Sequence, residues 1–256
     1  MIAKYQVVLL AGGLAPWLKP LAGTDIRCLA KLNNHTILEY IVAALFQSGR
    51  VSDILLVAPE TALAELESSL PAGVRLCAAG ADMPKTAAKA LEVLQPESSQ
   101  RILFVCDDIP LLTAEAVEHF LQECEKHPEK EAFYPIIPQE ACQQAFPEGK
   151  RTYGKLTDGI FTGGNMMLLS AAMVRGTLKQ AEEIFAMRKS PFKLCGWLGF
   201  GFILKLLLHL LDTHQVQERV SELMGFPCQV IITSYAEIGM DVDKPADWEL
   251  AKKYLK

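Results

Sequence analysis

The sequence predicts an α/β fold: a mostly parallel sheet with helices on both faces and a helical insertion. Three observations carry this. Apolar runs of strand length alternate with segments whose apolar residues recur every three or four positions. The first run ends in a glycine pair, Gly12-Gly13. Two later runs lead into carboxylates, Asp107-Asp108 and the Asp241/Asp243 stretch. Sheets of this kind take ligands at the C-terminal ends of their strands.

Strands are expected at Gln6 to Leu10, Asp53 to Ala58, Val74 to Cys77, Ile102 to Cys106 and Ala132 to Ile137. Between them TILEYIVAALFQSG, TALAELESSL, KTAAKALEVL and TAEAVEHFLQECEK carry helical spacing, with Thr36, Thr61 and Thr113 placed as N-caps. This βαβα order implies parallel strands with crossover helices. Residues 139–165 are polar, with Gly and Pro, and hold a hairpin at TYGKLTDGIFTG. Residues 170–224 read as helical, QVIITS as a last strand, and the chain ends in a loop and a helix. With no internal repeat and no long linker, the expectation is one domain over 1–256 with a mainly helical insertion around 170–224.

Half of the 256 residues are hydrophobic and 21% are charged, enough for a sizeable core. The net charge of −5 offers no basic surplus to replace counterions, which argues against nucleic acid as partner. Seven scattered cysteines without a CxxC pair read as reduced thiols of a cytoplasmic protein. The apolar run after Lys4 is short and glycine-broken, unlike a signal peptide. In LCGWLGFGFILKLLLHLLD, 194–212, Lys205 and His209 interrupt the apolar run. It falls short of a spanning helix and reads as a buried helix pair, with an amphipathic segment on a membrane surface as the alternative.

Glycines after a strand let backbone N–H groups approach phosphate oxygens. Neither G-x-G-x-x-G nor the phosphate-binding lysine loop is present. In VCDDIPLL, Asp108 stands where a carboxylate can hold Mg²⁺, a hard cation with oxygen ligands. In DVDKPADW, Pro245 and Asp247 are helix-start chemistry, which leaves Asp241 and Asp243 without that explanation. Together these features describe a metal-dependent nucleotide site.

The order LAGG, RCLAKLNNHTIL, DIP, GGN and DVDKPADWELA resembles the molybdenum-cofactor guanylyltransferase-like (MobA-like) NTP transferases, with their Rossmann-like GT-A nucleotidyltransferase fold. The resemblance implies Mg²⁺-dependent transfer of NMP from an NTP, CTP or GTP, to a phosphorylated small molecule, with release of pyrophosphate. It implies a nucleotide cradle at Leu10, Ala11, Gly12 and Gly13, a metal ligand at Asp108 and a second at Asp243. It places a pocket asparagine at Asn165, after Gly163-Gly164, and base contacts at Gly80 and Thr86, the latter also readable as a helix cap. A monomer or homodimer fits such enzymes.

Two family positions differ. The third glycine is Ala15, and the arginine expected on the glycine loop is Trp17. Arg27 stands where the family carries a lysine, and Lys19 and Lys31 lie nearby; Arg27 and Lys19, with Asp108, are the catalytic candidates. Arg151, Lys155, Arg188 and Lys189 are candidates for an anionic acceptor. Two other readings stay open: a nucleotide or nucleotide-sugar binding protein without turnover, motivated by Ala15 and Trp17, and a GT-A glycosyltransferase, whose D-x-D turn Asp107-Asp108 resembles without the spacer.

Overall fold

The apolar runs pair into the middle of a sheet because only a doubly covered strand can bury both faces. The computed structural model describes residues 3–12, 14–187 and 197–255. Its strands are β1 (Tyr5–Leu10), β2 (Lys31–Leu32), β3 (His35–Thr36), β4 (Val51–Ala58), β5 (Val74–Ala78), β6 (Arg101–Cys106), β7 (Ala132–Pro138), β8 (Gly154–Leu156), β9 (Gly159–Gly163), β10 (Met166–Ser170) and β11 (Cys228–Ile232). Among the described residues nine form one sheet in the order β5-β4-β1-β6-β10-β7-β9-β8, with β11 on the other edge of β7; β2 and β3 make a separate ribbon.

The β5-β4-β1-β6 half is wholly parallel, and β11 runs parallel to β7. Strand β10 runs against both β6 and β7, and β9 against β7 and β8. The sheet is therefore mixed but mostly of one direction.

One face packs against the helices Ile37–Gln47, Ala114–Glu125 and Pro245–Tyr254. Val7, Leu9, Leu103 and Val105 there meet Ile41, Phe120 and Trp248, all nearly solvent-free. The other face carries Val8, Leu55 and Phe104 against Ala90 and Leu91 of the helix Met83–Leu94 and Val174 of the helix Ala171–Gly176. Alternate residues of β1 thus serve opposite faces, as strand geometry requires.

Thr36 and Thr113 accept hydrogen bonds from the Glu39 and Ala116 N–H groups, and so cap their helices as expected. Thr61 does not: it lies inside a 3₁₀ turn, Glu60–Ala62, without a side-chain cap. Besides the short β2–β3 ribbon and a helical turn at Lys19–Ala22, two further elements differ from the sequence expectation. MMLLS forms β10 at 166–170, just before the helical stretch, and the segment read as polar loop contains a helix, Gln139–Ala145. The hairpin of β8 and β9 is where the turn residues Asp158-Gly159 put it.

The insertion contains the helices Ala171–Gly176, Leu178–Met187, Phe200–Leu207 and Thr213–Met224. The reading of 194–212 as a buried helix pair is corrected in its described part, 197–212. Phe200, Leu204, Leu207, Leu208 and Leu210 are exposed, because this helix rests on the sheet's rim through few residues instead of entering the core. None of the described helices is long and apolar enough to cross a membrane.

Candidate active site

The site lies at the C-terminal ends of β1, β4 and β6. Leu10 leads into Ala11, whose N–H donates to the Val57 carbonyl at 2.8 Å, so the chain leaves the sheet next to β4. An added Cβ at Gly12 would meet nothing within 4 Å, and Gly12 borders a cleft of about 650 Å³. Its backbone is open to a ligand. Gly13 lies outside the described residues.

The chain then makes an excursion and returns. Leu14 bridges to Ile26, and the Ala15 N–H donates to the Asp25 carbonyl at 2.7 Å. Ala15 is buried, and Trp17, in the 3₁₀ turn Pro16–Leu18, packs half-buried on the core. Lys19 sits within the loop that this bridge closes, exposed and not among the residues lining the cleft. The structure therefore does not bring Lys19 to the site, and Lys31 is exposed on β2. Arg27, the first residue after the return, does reach the cleft.

Arg27 is the centre of a charge cluster. Its Nη1 donates to Asp108 Oδ2 at 2.8 Å and to Asp243 Oδ1 at 2.9 Å. The two acidic loops are held together by backbone, since the Val242 N–H donates to the Asp108 carbonyl at 2.8 Å. Asp241 pairs with Arg151, whose Nη2 also donates to the Gly163 carbonyl at 3.4 Å. Asp108, Asp241 and Asp243 each present an oxygen within 4.8 Å of the other two, a set that could hold a metal ion. Asp241 was seen in the sequence but not assigned to the metal.

Burial dominates the electrostatics. It pushes the Asp107 carboxyl up to about 8, with Asp108 adding to the rise and Arg27 opposing it. Burial also raises Asp108 to about 6; Arg27 lowers it, while Asp241 and Asp243 raise it. Asp107 Oδ2 is buried without a hydrogen-bond partner, as are the Nε atoms of Arg27 and Arg151. With Asp107 protonated, Asp108, Asp241 and Asp243 facing two guanidiniums still leave a negative excess, and hard oxygen donors suit Mg²⁺. The residues present fit such an ion.

Asn165 is positioned by its own backbone. Its N–H donates to the Ile238 carbonyl and its carbonyl accepts from the Cys106 N–H, both at 2.9 Å. Gly164 before it has no room for a side chain, with Ile238 Cγ2 at 2.7 Å from a would-be Cβ. The Asn165 amide thus comes to 3.5 Å from Asp108 Oδ1, the outer limit of a hydrogen bond.

Gly80 and Thr86 line the opposite wall. The Gly80 N–H donates to the Thr86 hydroxyl at 3.0 Å, and that hydroxyl donates to the Asp82 carbonyl at 2.7 Å. The helix cap is Asp82, not Thr86, because the Asp82 carboxylate takes the Lys85 N–H. Lys155 is exposed on β8; Arg188 and Lys189 lie outside the described residues.

A glycine-ended β1, a parallel half-sheet and an aspartate cluster at its rim define a Rossmann-like α/β protein with a ligand site at the strand ends. The chain belongs to the family of the MobA-like NTP transferase domain, whose model matches residues 7–188. It is similar to a solved structure described as a hypothetical transferase from Thermus thermophilus, with 33% identity, 96% of this chain and 99% of that one covered, and a TM-score of 0.83. It shares its fold with the 4-diphosphocytidyl-2C-methyl-D-erythritol synthase of Anaerococcus prevotii DSM 20548, at 13% identity, 98% coverage of each chain and a TM-score of 0.58. No functionally curated protein matches it.

Proposed function

We propose that this protein transfers a nucleoside monophosphate from an NTP, CTP or GTP, to a phosphorylated small molecule, with Mg²⁺ as cofactor. The observation that carries this is the set of Asp108, Asp241 and Asp243 oxygens beside the cleft that Gly12 borders. Asp108 and Asp243, with Asp241, would hold the ion, which when bound neutralises charge on the triphosphate.

The chain's own work is positioning. The open backbone at Gly12 receives phosphate oxygens. Gly80 and Thr86 shape the wall against the base. Arg27 supplies the cationic group that the glycine loop lacks, since Ala15 and Trp17 are committed to packing. Arg151 and Asn165 face the acceptor side. An oxygen of the acceptor phosphate attacks the α-phosphorus, a new P–O bond forms, the α–β bridge bond breaks, and pyrophosphate leaves with the bond's electron pair. Placement of this kind and fixed opposite charge supply most of the acceleration in such transfers.

The test is titration calorimetry of each NTP with Mg²⁺, followed by pyrophosphate release with a panel of phosphomonoesters. Binding of one NTP with acceptor-dependent release is expected. Absence of NTP binding overturns the reading.

A further inference from the structure

Two apolar cavities adjoin the site and neither is used by nucleotide chemistry. The first, about 390 Å³, lies between the start of the Met83–Leu94 helix, the Leu178–Met187 helix and β10. It shares Met83 and Phe185 with the nucleotide cleft. The second, about 590 Å³, lies between the Thr213–Met224 helix and β7, β10 and β11. It shares Met167, Leu169, Met173 and Met224 with the first. The three spaces therefore adjoin one another in series, the first polar and the other two apolar.

The far cavity also returns to the charged cluster. Gly163 lines it, and the Gly163 carbonyl accepts from Arg151, the partner of Asp241. Tyr134, another lining residue, sets its hydroxyl against Gly163, where a Cβ would come within 2.2 Å of it. On the outer side Leu206 lines the cavity, and its neighbours Leu207, Leu208 and Leu210 are exposed, so the apolar surface continues to the outside. Open apolar recesses of this size beside a few polar groups are the usual form of a small-molecule site. The lining sets Met167, Met173 and Met224 among aliphatic and aromatic side chains, and methionine adapts readily to a flexible chain.

We propose that the acceptor is a phosphorylated lipid-like molecule: its phosphate lies at the aspartate cluster and its long apolar chain runs through these cavities. This rests on the functional reading above and names its acceptor class. A small polar phosphomonoester would leave both cavities unused. A chain of many methylenes gains about 0.8 kcal/mol for each one buried, equivalent to roughly fourfold in affinity.

The experiment is a chain-length series of n-alkyl phosphates, from ethyl to decyl, titrated into the full-length protein with Mg²⁺. In parallel the rise in Tm caused by NTP is measured, so that nucleotide binding is read separately. We expect affinity to climb by about fourfold per added methylene. Ala181→Phe and Val216→Trp, which fill the first and second cavity, are expected to flatten the climb at successively longer chains, with the NTP-induced Tm rise reporting that each variant is folded. NTP binding with an affinity that stays flat beyond the short chains overturns this inference alone. So does a climb that both filled variants leave unchanged. Loss of NTP binding in the unaltered protein overturns the functional reading beneath it.

Discussion

Arg27 and Asp108 meet through one nitrogen, at 2.8 Å, and the same nitrogen serves Asp243 at 2.9 Å. A single guanidinium therefore ties the loop after β6 to the loop before the last helix. The pair with Asp108 is largely shielded from water, whereas the Asp243 end is open. The strength of the arrangement resides in the Asp108 contact, because exposed pairs contribute little.

Asp108→Asn keeps the shape of the side chain and removes its charge. We expect Mg²⁺-dependent pyrophosphate release to fall by on the order of a hundredfold or more. The fold should survive, since burial disfavours the Asp108 charge in the protein without metal. Pyrophosphate release and thermal melting of the same sample check both halves.

Asp107 gives a pH signature with a definite sign. Its folded-state value, about 8, lies above the ordinary 3.8, so the folded state binds more protons than the unfolded one between these limits. The stability it contributes is present at low pH and is lost as pH rises towards 8. Compared with Asp107→Asn, the unaltered protein without metal should lose stability steadily from about pH 4 to about pH 8. Denaturant titrations across that range measure it. A parallel course for the two proteins would contradict the burial assigned to this carboxyl.

The two glycines of the cleft should respond differently to alanine. At Gly80 the new Cβ would lie 2.6 Å from the Lys85 carbonyl carbon, which is backbone and cannot swing away. Gly80→Ala should cost about 1–3 kcal/mol and distort the wall of the cleft. At Gly12 the Cβ enters open space, so Gly12→Ala should change stability by less than about 1 kcal/mol and weaken nucleotide binding by filling that space. Melting curves with and without NTP separate the two cases.

Trp17 tests whether the departure from the family pattern is about packing. It is half-buried on the core beside the fully buried Leu18. Trp17→Arg, which installs the family residue, should lower stability by about 2 kcal/mol. It should not raise the rate of pyrophosphate release. A faster enzyme would show that the position still faces the phosphates.

The parallel half of the sheet was legible because β4 and β6 contain the unbroken apolar runs ILLVA and ILFVC. Strand β10 was not, because MMLLS runs straight into AAMV and one long apolar stretch suits a helix as well as a strand. The glycine turn and the aspartates could be placed at strand ends, yet the choice of Arg27 over Lys19 could not be made. Its partners lie 81 and 216 residues away in sequence, and only the fold brings them together. Trp17 looked like a missing charge because sequence spacing carries no record of the bridge that turns it inward.

That bridge between Leu14 and Ile26 acts as a drawstring. The chain leaves the C-terminal rim of the sheet and comes back to it at one point, with Gly12 on one side and Arg27 on the other. The exposed stretch from Lys19 to Leu21 can change without moving either group, while Ala15, Trp17 and Leu18 hold the rest of the loop on the core. A loop closed in this way keeps the spacing between phosphate cradle and guanidinium independent of its exposed tip.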